Sequence, residues 1–301
     1  MNNIMKIKKS KDRLFFDVLS YTLITTMVIV CFLPVWLVVV GSLSDNRDII
    51  LNGYSFFIKK ISLDAYELLL ANPKEMLNAY KVTIICTVVG TTLHLILCTL
   101  AGYVLSRKDF VLRNAISFYL YFPTIFSGGL VSWYILCVRY LNFKEHPYMA
   151  MILLTVYGYF NTIIIRSFMS SIPESLGEAA IIDGANDFLI YLKIILPLSK
   201  PVIATIGLFS ALGIWGEWYN AMLFVTDSKY YPLQYYLYIV INRQKALADL
   251  ANTTLDMSMV DVPTETYKLA VTVMTTGPIV LVYPFIQKYF IKGMTVGAVK
   301  G

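Results

Sequence analysis

Residues 82–106 read VTIICTVVGTTLHLILCTLAGYVLS, twenty-five positions without a charge between Lys81 and Arg107. As a helix rising about 1.5 Å per residue, such a run is about 37 Å long, enough to cross the roughly 30 Å hydrocarbon core of a bilayer. Working outward, residues 18–44, 114–138, 147–165 and 269–287 are equally free of charge, and 201–226 carries Glu217 alone. The rest of the composition agrees. The 301 residues are 57% hydrophobic and 15% charged, with a mean hydropathy of +0.65. A chain with so few charges cannot cover a water-exposed surface, so a soluble enzyme or a nucleic-acid module is excluded. The net charge of +6 forms no single basic patch. The expected fold is therefore an all-α integral membrane protein with six transmembrane helices, at about 18–44, 82–106, 114–138, 147–168, 201–226 and 269–288.

The first run follows Lys6, Lys8, Lys9, Lys11 and Arg13. It is too long for a signal-peptide core and lacks a clean small-residue cleavage site, so it is expected to stay as an anchor. With both termini inside, the inner segments hold 14 Lys and Arg against seven acidic residues; the remainder holds 11 and 12. The basic N-terminus and the short Arg107/Lys108/Arg113 loop decide the orientation: N and C termini cytoplasmic. The domain expectation is a cytoplasmic segment 1–17, a permease-like body 18–290 with a long inner loop 169–200, and a cytoplasmic tail 291–301.

Catalytic chemistry is sparse. No phosphate-cradling GxxxxGK[ST] loop, HExxH or GxSxG occurs. Cys31, Cys86, Cys98 and Cys137 are too far apart for a metal or redox pair and read as small buried hydrophobes. No cofactor is expected. His94 alone mid-span reads as an interhelical hydrogen-bonding residue rather than part of a proton relay. Phe126-Ser127-Gly128-Gly129-Leu130 looks superficially like an ATPase signature but lies mid-span. Its small residues suit close helix packing or a wide point on a solute path. Glu217 sits among Gly213, Trp215, Gly216, Trp218, Tyr219 and Asn220. It can hydrogen-bond a neighbouring helix, or line a path with the aromatic and amide groups used for sugars. The run Tyr230, Tyr231, Tyr235, Tyr236 and Tyr238 reads as an interfacial belt or as sugar-stacking rings.

The inner loop is the most informative stretch. Ser171-Ile172-Pro173-Glu174-Ser175-Leu176-Gly177-Glu178-Ala179-Ala180-Ile181-Ile182-Asp183-Gly184 predicts a short helix that starts at Pro173 and ends at a left-handed Gly184. Leu176, Ala179, Ala180 and Asp183 share a face. Asn186 or Asp187 caps a second helix, which Pro197 interrupts. Spacing alone fits either an amphipathic surface helix or a helix that enters another protein's groove.

Glu178-Ala179-Ala180, then Gly184, Ile194 and Leu196-Pro197 at their spacings, is similar to the EAA loop of bacterial ABC importer permeases. Leu105-Ser106-Arg107-Lys108, the SGGL run, Trp215-Gly216-Glu217-Trp218-Tyr219-Asn220 and the tail Lys292–Gly301 resemble the carbohydrate-uptake, maltose-type permeases, in the second of the two permease subunits. Ser132 stands where that family has a proline. The resemblance implies a type I ABC importer permease fold and an ATPase-docking set of Glu178, Ala179, Ala180, Asp183, Gly184, Ile194, Leu196 and Pro197. The expected substrate path is Glu217, Trp215, Tyr219, Asn220, Ser127 and Gly128. The implied partners are a second, different permease, two ATPase subunits, an external solute-binding protein and membrane lipid, with no nucleic acid. The cargo implied is a sugar, an oligosaccharide foremost; the alternative is a non-sugar solute such as a polyamine or phosphate. In this family the tail reaches between the ATPase subunits, which puts Gly293–Gly301 there.

Overall fold

The computed structural model describes residues 11–71, 73–253 and 264–298. The elements are helices: α1 Lys11–Ser42, α2 Asn46–Asn52, α3 Asp64–Ala71, α4 Pro73–Ser106, α5 Arg113–Ile125, α6 Leu130–Ile135, α7 Pro147–Leu153, α8 Tyr159–Met169, α9 Ser175–Ile182, α10 Asp187–Ile190, α11 Leu196–Leu198, α12 Lys200–Trp215, α13 Tyr219–Phe224, α14 Leu233–Thr253 and α15 Thr264–Ala298. Two π-helical turns, Leu136–Tyr140 and Tyr191–Ile195, follow α6 and α10. The expected basic segment before residue 11 and the end of the tail, residues 299–301, lie outside the described residues.

The chain divides into two compact units. The first comprises Met1–Ala71 and Arg243–Met274. Here α1 starts at Lys11, seven residues earlier than the uncharged run, and keeps Phe15, Met27 and Phe32 exposed, a surface suited to hydrocarbon. Its last turn is buried, and the Ser42 hydroxyl meets Tyr66 Oη at 2.8 Å. The Asp45 carboxylate accepts from the Arg47 and Asp48 amides and caps α2. The Asn46 carboxamide oxygen does the same for Glu265 and Thr266 at the start of α15.

The second unit comprises Asn72–Asn242 and Thr275–Gly301. Its centre is α4, which packs on α8 and α12 around Cys98, Tyr103, Ile165, Met169, Tyr191, Val202 and Ile206. Gly102 permits the close approach: a Cβ there would lie 2.8 Å from Ile165 Cγ2 and 3.3 Å from the Arg166 amide nitrogen. Cys86, Cys98 and Cys137 are buried as expected, but Cys31 is exposed on α1.

Among the described residues α1 and α4 are each long and apolar enough to cross a membrane alone. The apolar runs at 114–138, 147–165 and 201–226 are not single helices. In the first, α5 and α6 meet at 111° across Phe126–Gly129, where Gly129 takes φ +82°. Among the described residues no atom outside their chain neighbours lies within 4 Å of a Cβ built on Gly128 or Gly129, and Gly129 takes a positive-φ backbone at the break between the two helices. In the second run α7 stops at Leu153 and α8 starts at Tyr159. The backbone groups freed there need partners, because a backbone group withdrawn from water and left unpaired is costly.

Residues of α4 provide them. His94 Nδ1 lies 3.2 Å from the Thr155 carbonyl oxygen, so the network puts the ring proton on Nδ1. Nε2 then accepts from Asn161 Nδ2 at 2.8 Å. The Gly158 carbonyl accepts from Thr162 Oγ1 and Cys98 Sγ. His94 is thus the interhelical residue the sequence suggests.

The third break, Gly216–Trp218, is capped by Glu217, whose Oε1 accepts from the Asn220 amide at 2.8 Å.

Gly102→Ala forces Ile165 and the Arg166 backbone to move, an overpacking cost of about 1–3 kcal/mol. Gly213→Ala, with open space at the Cβ position, should be neutral or stabilising by up to about 1 kcal/mol. Thermal unfolding of the purified protein in detergent should separate the two. Equal effects would show that α4 and α8 do not approach this closely.

Candidate functional site

The loop between α8 and α12 folds into two short helices whose turn is fixed locally. Gly184 takes φ +84°. Its amide donates to the Ile181 carbonyl and the Ala185 amide to the Ala180 carbonyl, each at 2.9 Å. This pair of bonds is the Schellman arrangement that ends a helix on a left-handed residue. Asn186 Oδ1 then accepts from the Leu189 amide at 2.8 Å and starts α10. Both signals were legible in the sequence. Pro173 lies two residues before the first residue of α9. Pro197 does not interrupt its helix: it sits in α11, and the 79° bend between Asp187–Leu198 and Lys200–Trp215 falls at Ser199. The first turn of a helix tolerates a proline, since its N–H would have no helical partner.

The two helices are held from the α4–α5 connection. Arg107 grips Asp109 with Nε at 3.1 Å and Nη2 at 2.9 Å, and Nη2 lies 3.6 Å from Asp187 Oδ1. Lys108 Nζ meets Glu174 Oε1 at 2.7 Å. Tyr103 Oη donates to the Asp187 carbonyl, its ring lies against Tyr191, and Tyr191 Oη meets Thr99 Oγ1 at 2.8 Å. A cleft of about 450 Å³ lies between these elements, lined by Arg107, Arg113, Glu174 and Glu178 among others. The Arg107 guanidinium holds the Asp109 carboxyl below the usual carboxylate range. A lowered folded value means that the pair contributes above the ordinary carboxylate range and is lost only as pH falls through the lowered value. The grip therefore stays charged at neutral pH.

The solvent-facing surface of α9 and α10 mixes large apolar groups with carboxylates such as Glu178 and Asp183. Leu176, Ile181, Ile182 and Phe188 are exposed, Ile182 at 86%. So many exposed aliphatic and aromatic groups on two short helices mark a surface made for contact. Of the sequence-expected docking residues, Glu178, Ala179, Asp183, Gly184 and Pro197 are exposed, and Ala180 and Ile194 are half-buried. Leu196 is also half-buried and packs against the core cluster that contains Cys98 and Ile206. Arg107, Lys108, Tyr103, Tyr191 and Asp187 were not singled out as site residues. The run Ser106-Arg107-Lys108 was visible, but nothing local tied it to a loop about 70 residues later.

The expected path residues fall at two separate breaks. Ser127 and Gly128 lie between α5 and α6. Trp215 ends α12, Glu217 caps α13, and Tyr219 and Asn220 form its first turn. Trp215 Nε1 is withdrawn from solvent with no acceptor among the described residues.

Residues 94–296 match the model of the family described as the binding-protein-dependent transport system inner membrane component. Along its whole length the chain is 37% identical to all of Protein LplC of Bacillus subtilis. It is 38% identical over 97% of its length to the whole of the polygalacturonan/rhamnogalacturonan transport system permease protein YtcP of the same organism. It is 28% identical over 91% of its length to 94% of the trehalose/maltose transport system permease protein MalG of Thermococcus litoralis. Among solved structures, a chain of a bacterial ABC transporter involved in the import of the acidic polysaccharide alginate superposes with a TM-score of 0.80. That match, at 28% identity, covers 95% of this chain and all of the other.

Removing the Arg107 fork should loosen the loop without unfolding α4. Exposed ion pairs are worth about 0.2–1 kcal/mol each, so Arg107→Ala should speed amide exchange of α9 and α10 by about 2–5-fold. Hydrogen-exchange mass spectrometry reads this directly. Unchanged exchange would mean that Arg107 does not hold the loop.

Proposed function

This chain belongs to the family of binding-protein-dependent transport system inner membrane components, and on that premise we propose that it is a sugar-translocating permease subunit of an ATP-binding-cassette importer. The observation that carries the reading is the full-length likeness to permeases named for polygalacturonan, rhamnogalacturonan, trehalose and maltose. The likeness to a chain of an alginate importer supports a cargo of several sugar units.

The six apolar runs cross the membrane, three of them as bent or broken helices, with both termini in the cytoplasm. The basic residues flanking the first run and the Arg107–Arg113 loop support this orientation. Residues 1–17 and 291–301 are cytoplasmic segments, and 169–200 is the cytoplasmic loop. Because the sequence carries no phosphate-binding loop, energy enters from outside the chain. It comes from two ATPase subunits that dock on α9 and α10. A second, different permease completes the pathway, and an external solute-binding protein delivers the sugar.

Docking falls to the exposed surface of Leu176, Glu178, Ala179, Ile182, Asp183 and Phe188. The turn at Gly184 and the Asn186 cap make this surface one stiff piece. Displacement of that piece reaches α4 through Arg107, Tyr103 and the Tyr191–Thr99 bond, and reaches α12 through the bend at Ser199. Small side chains at Ala179 and Ala180 let the helix sit deep in a groove, where a larger group costs about 1–3 kcal/mol in overpacking. At Gly184 a side chain costs about 1–2 kcal/mol in left-handed strain.

Gly184→Val and Ala180→Trp should therefore abolish sugar uptake by the reconstituted importer while the permeases still insert together. The ATPase should dissociate, or hydrolyse ATP without responding to loaded binding protein. Wild-type uptake and stimulated hydrolysis in both variants would remove the loop from the coupling path.

A further inference from the structure

At the α12–α13 break and the start of α14, aromatic rings are gathered, of which Tyr231 and Tyr235 pack on the core while Trp218, Tyr219 and Tyr238 stay exposed. Tyr231, Tyr235 and Tyr238 recur at i, i+4 and i+7 on α14 and its approach, so they share one helix face. Tyr231 meets Tyr235 edge-on at 4.7 Å, and Tyr235 lies nearly parallel to Tyr238, 6.1 Å between centroids and 17° between planes. Trp218, from the α12–α13 break, stacks on Tyr238 at 4.9 Å and 24°, and Tyr219 stands edge-on to Trp218. Trp218 is 37% exposed and Tyr238 40%, so ring surface is left open.

We infer that Trp218 and Tyr238, with Tyr235 backing Tyr238 from the core side, form a platform on which a pyranose ring of the passing sugar stacks. The inference rests on the sugar reading above and adds to it the place of contact. A pyranose turns axial C–H groups, slightly positive, out of one face, and an indole or phenol ring presents a negative π face. Such stacking accepts many sugars, which suits a conduit.

Two polar groups flank the platform in sequence. Glu217 spends Oε1 on its cap, and a carboxylate has a second oxygen to accept a hydroxyl. The Trp215 indole N–H, three residues before Trp218, is withdrawn from solvent without an acceptor among the described residues. A tyrosine belt at a membrane interface would explain single rings reaching headgroups. It does not explain rings from two different elements stacked on each other.

The test uses the complete importer in proteoliposomes with its binding protein, and labelled maltotriose and trigalacturonate as probes. Leucine keeps bulk and removes the π face. Trp218→Leu and Tyr238→Leu should each raise the KM for uptake by about 3–10-fold, the scale of one aromatic stacking contact, and lower the sugar moved per ATP hydrolysed. Tyr238→Phe keeps the ring and should recover most of the loss. Wild-type KM in both leucine variants overturns the platform and leaves the sugar reading intact. A loss of assembled complex in the leucine variants, or a Tyr238→Phe variant as impaired as leucine, also overturns it. The rings would then hold the fold, or the hydroxyl would be the active group. If the wild-type importer moves neither probe, the sugar reading fails and the platform fails with it.

Discussion

Hydrocarbon offers no hydrogen bonds, so a helix that stops inside it must find partners for the backbone groups it frees. Two helix breaks in the second unit of this protein have such partners. The run at 147–165 breaks between Leu153 and Tyr159, and α4 answers with side chains set opposite the gap. His94 serves the Thr155 carbonyl and is itself held by the Asn161 side-chain Nδ2, and Cys98 joins Thr162 on the Gly158 carbonyl. At the next break Glu217 repairs its own chain by capping α13. The few polar side chains of the apolar runs are thus first of all structural. They fix where helices end and leave the spans bent in defined places.

Fixing those ends has a consequence at the other end of α4. Because α4 is pinned to α8 at Gly102 and at His94, its last turn is a rigid base for Tyr103, Arg107 and Lys108. These three hold the paired helices α9 and α10 by two ion pairs and a hydrogen bond to backbone. The loop is therefore an attached lever whose uncovered surface mixes apolar groups with carboxylates. Each ion pair is weak alone, since exposed pairs contribute about 0.2–1 kcal/mol. The lever depends on several of them, together with the Schellman turn and the Asn186 cap.

Much of this was legible in the sequence, for physical reasons. Charges are costly in hydrocarbon, so five uncharged runs and a sixth with Glu217 alone stand out. Gly184 and Asn186 were readable because a left-handed turn and a helix cap are local chemistry. What escaped was long-range or needed geometry. Hydrophobicity does not distinguish an unbroken helix from two pieces meeting at 111°, so the breaks at Phe126–Gly129, Leu154–Gly158 and Gly216–Trp218 were not foreseen. Gly128 and Gly129 suit close packing on composition, yet among the described residues nothing outside their chain neighbours comes within 4 Å of a Cβ built there. Leu196 is half-buried against the core cluster, which its place in the motif does not reveal. Arg107 and Asp187 are 80 positions apart, and no periodicity links them. Likewise the tyrosine run was visible, while its stacking on Trp218 was not.

The most direct measurement of the docking role places a photo-crosslinking amino acid at Ile182, the most exposed apolar residue of α9. The modified chain is irradiated in cells that make the whole importer. A covalent adduct with the ATPase subunit is the expected result, and it would also put the loop on the cytoplasmic side. An Ile182 position that crosslinks only to lipid, or to the external solute-binding protein, would contradict the account.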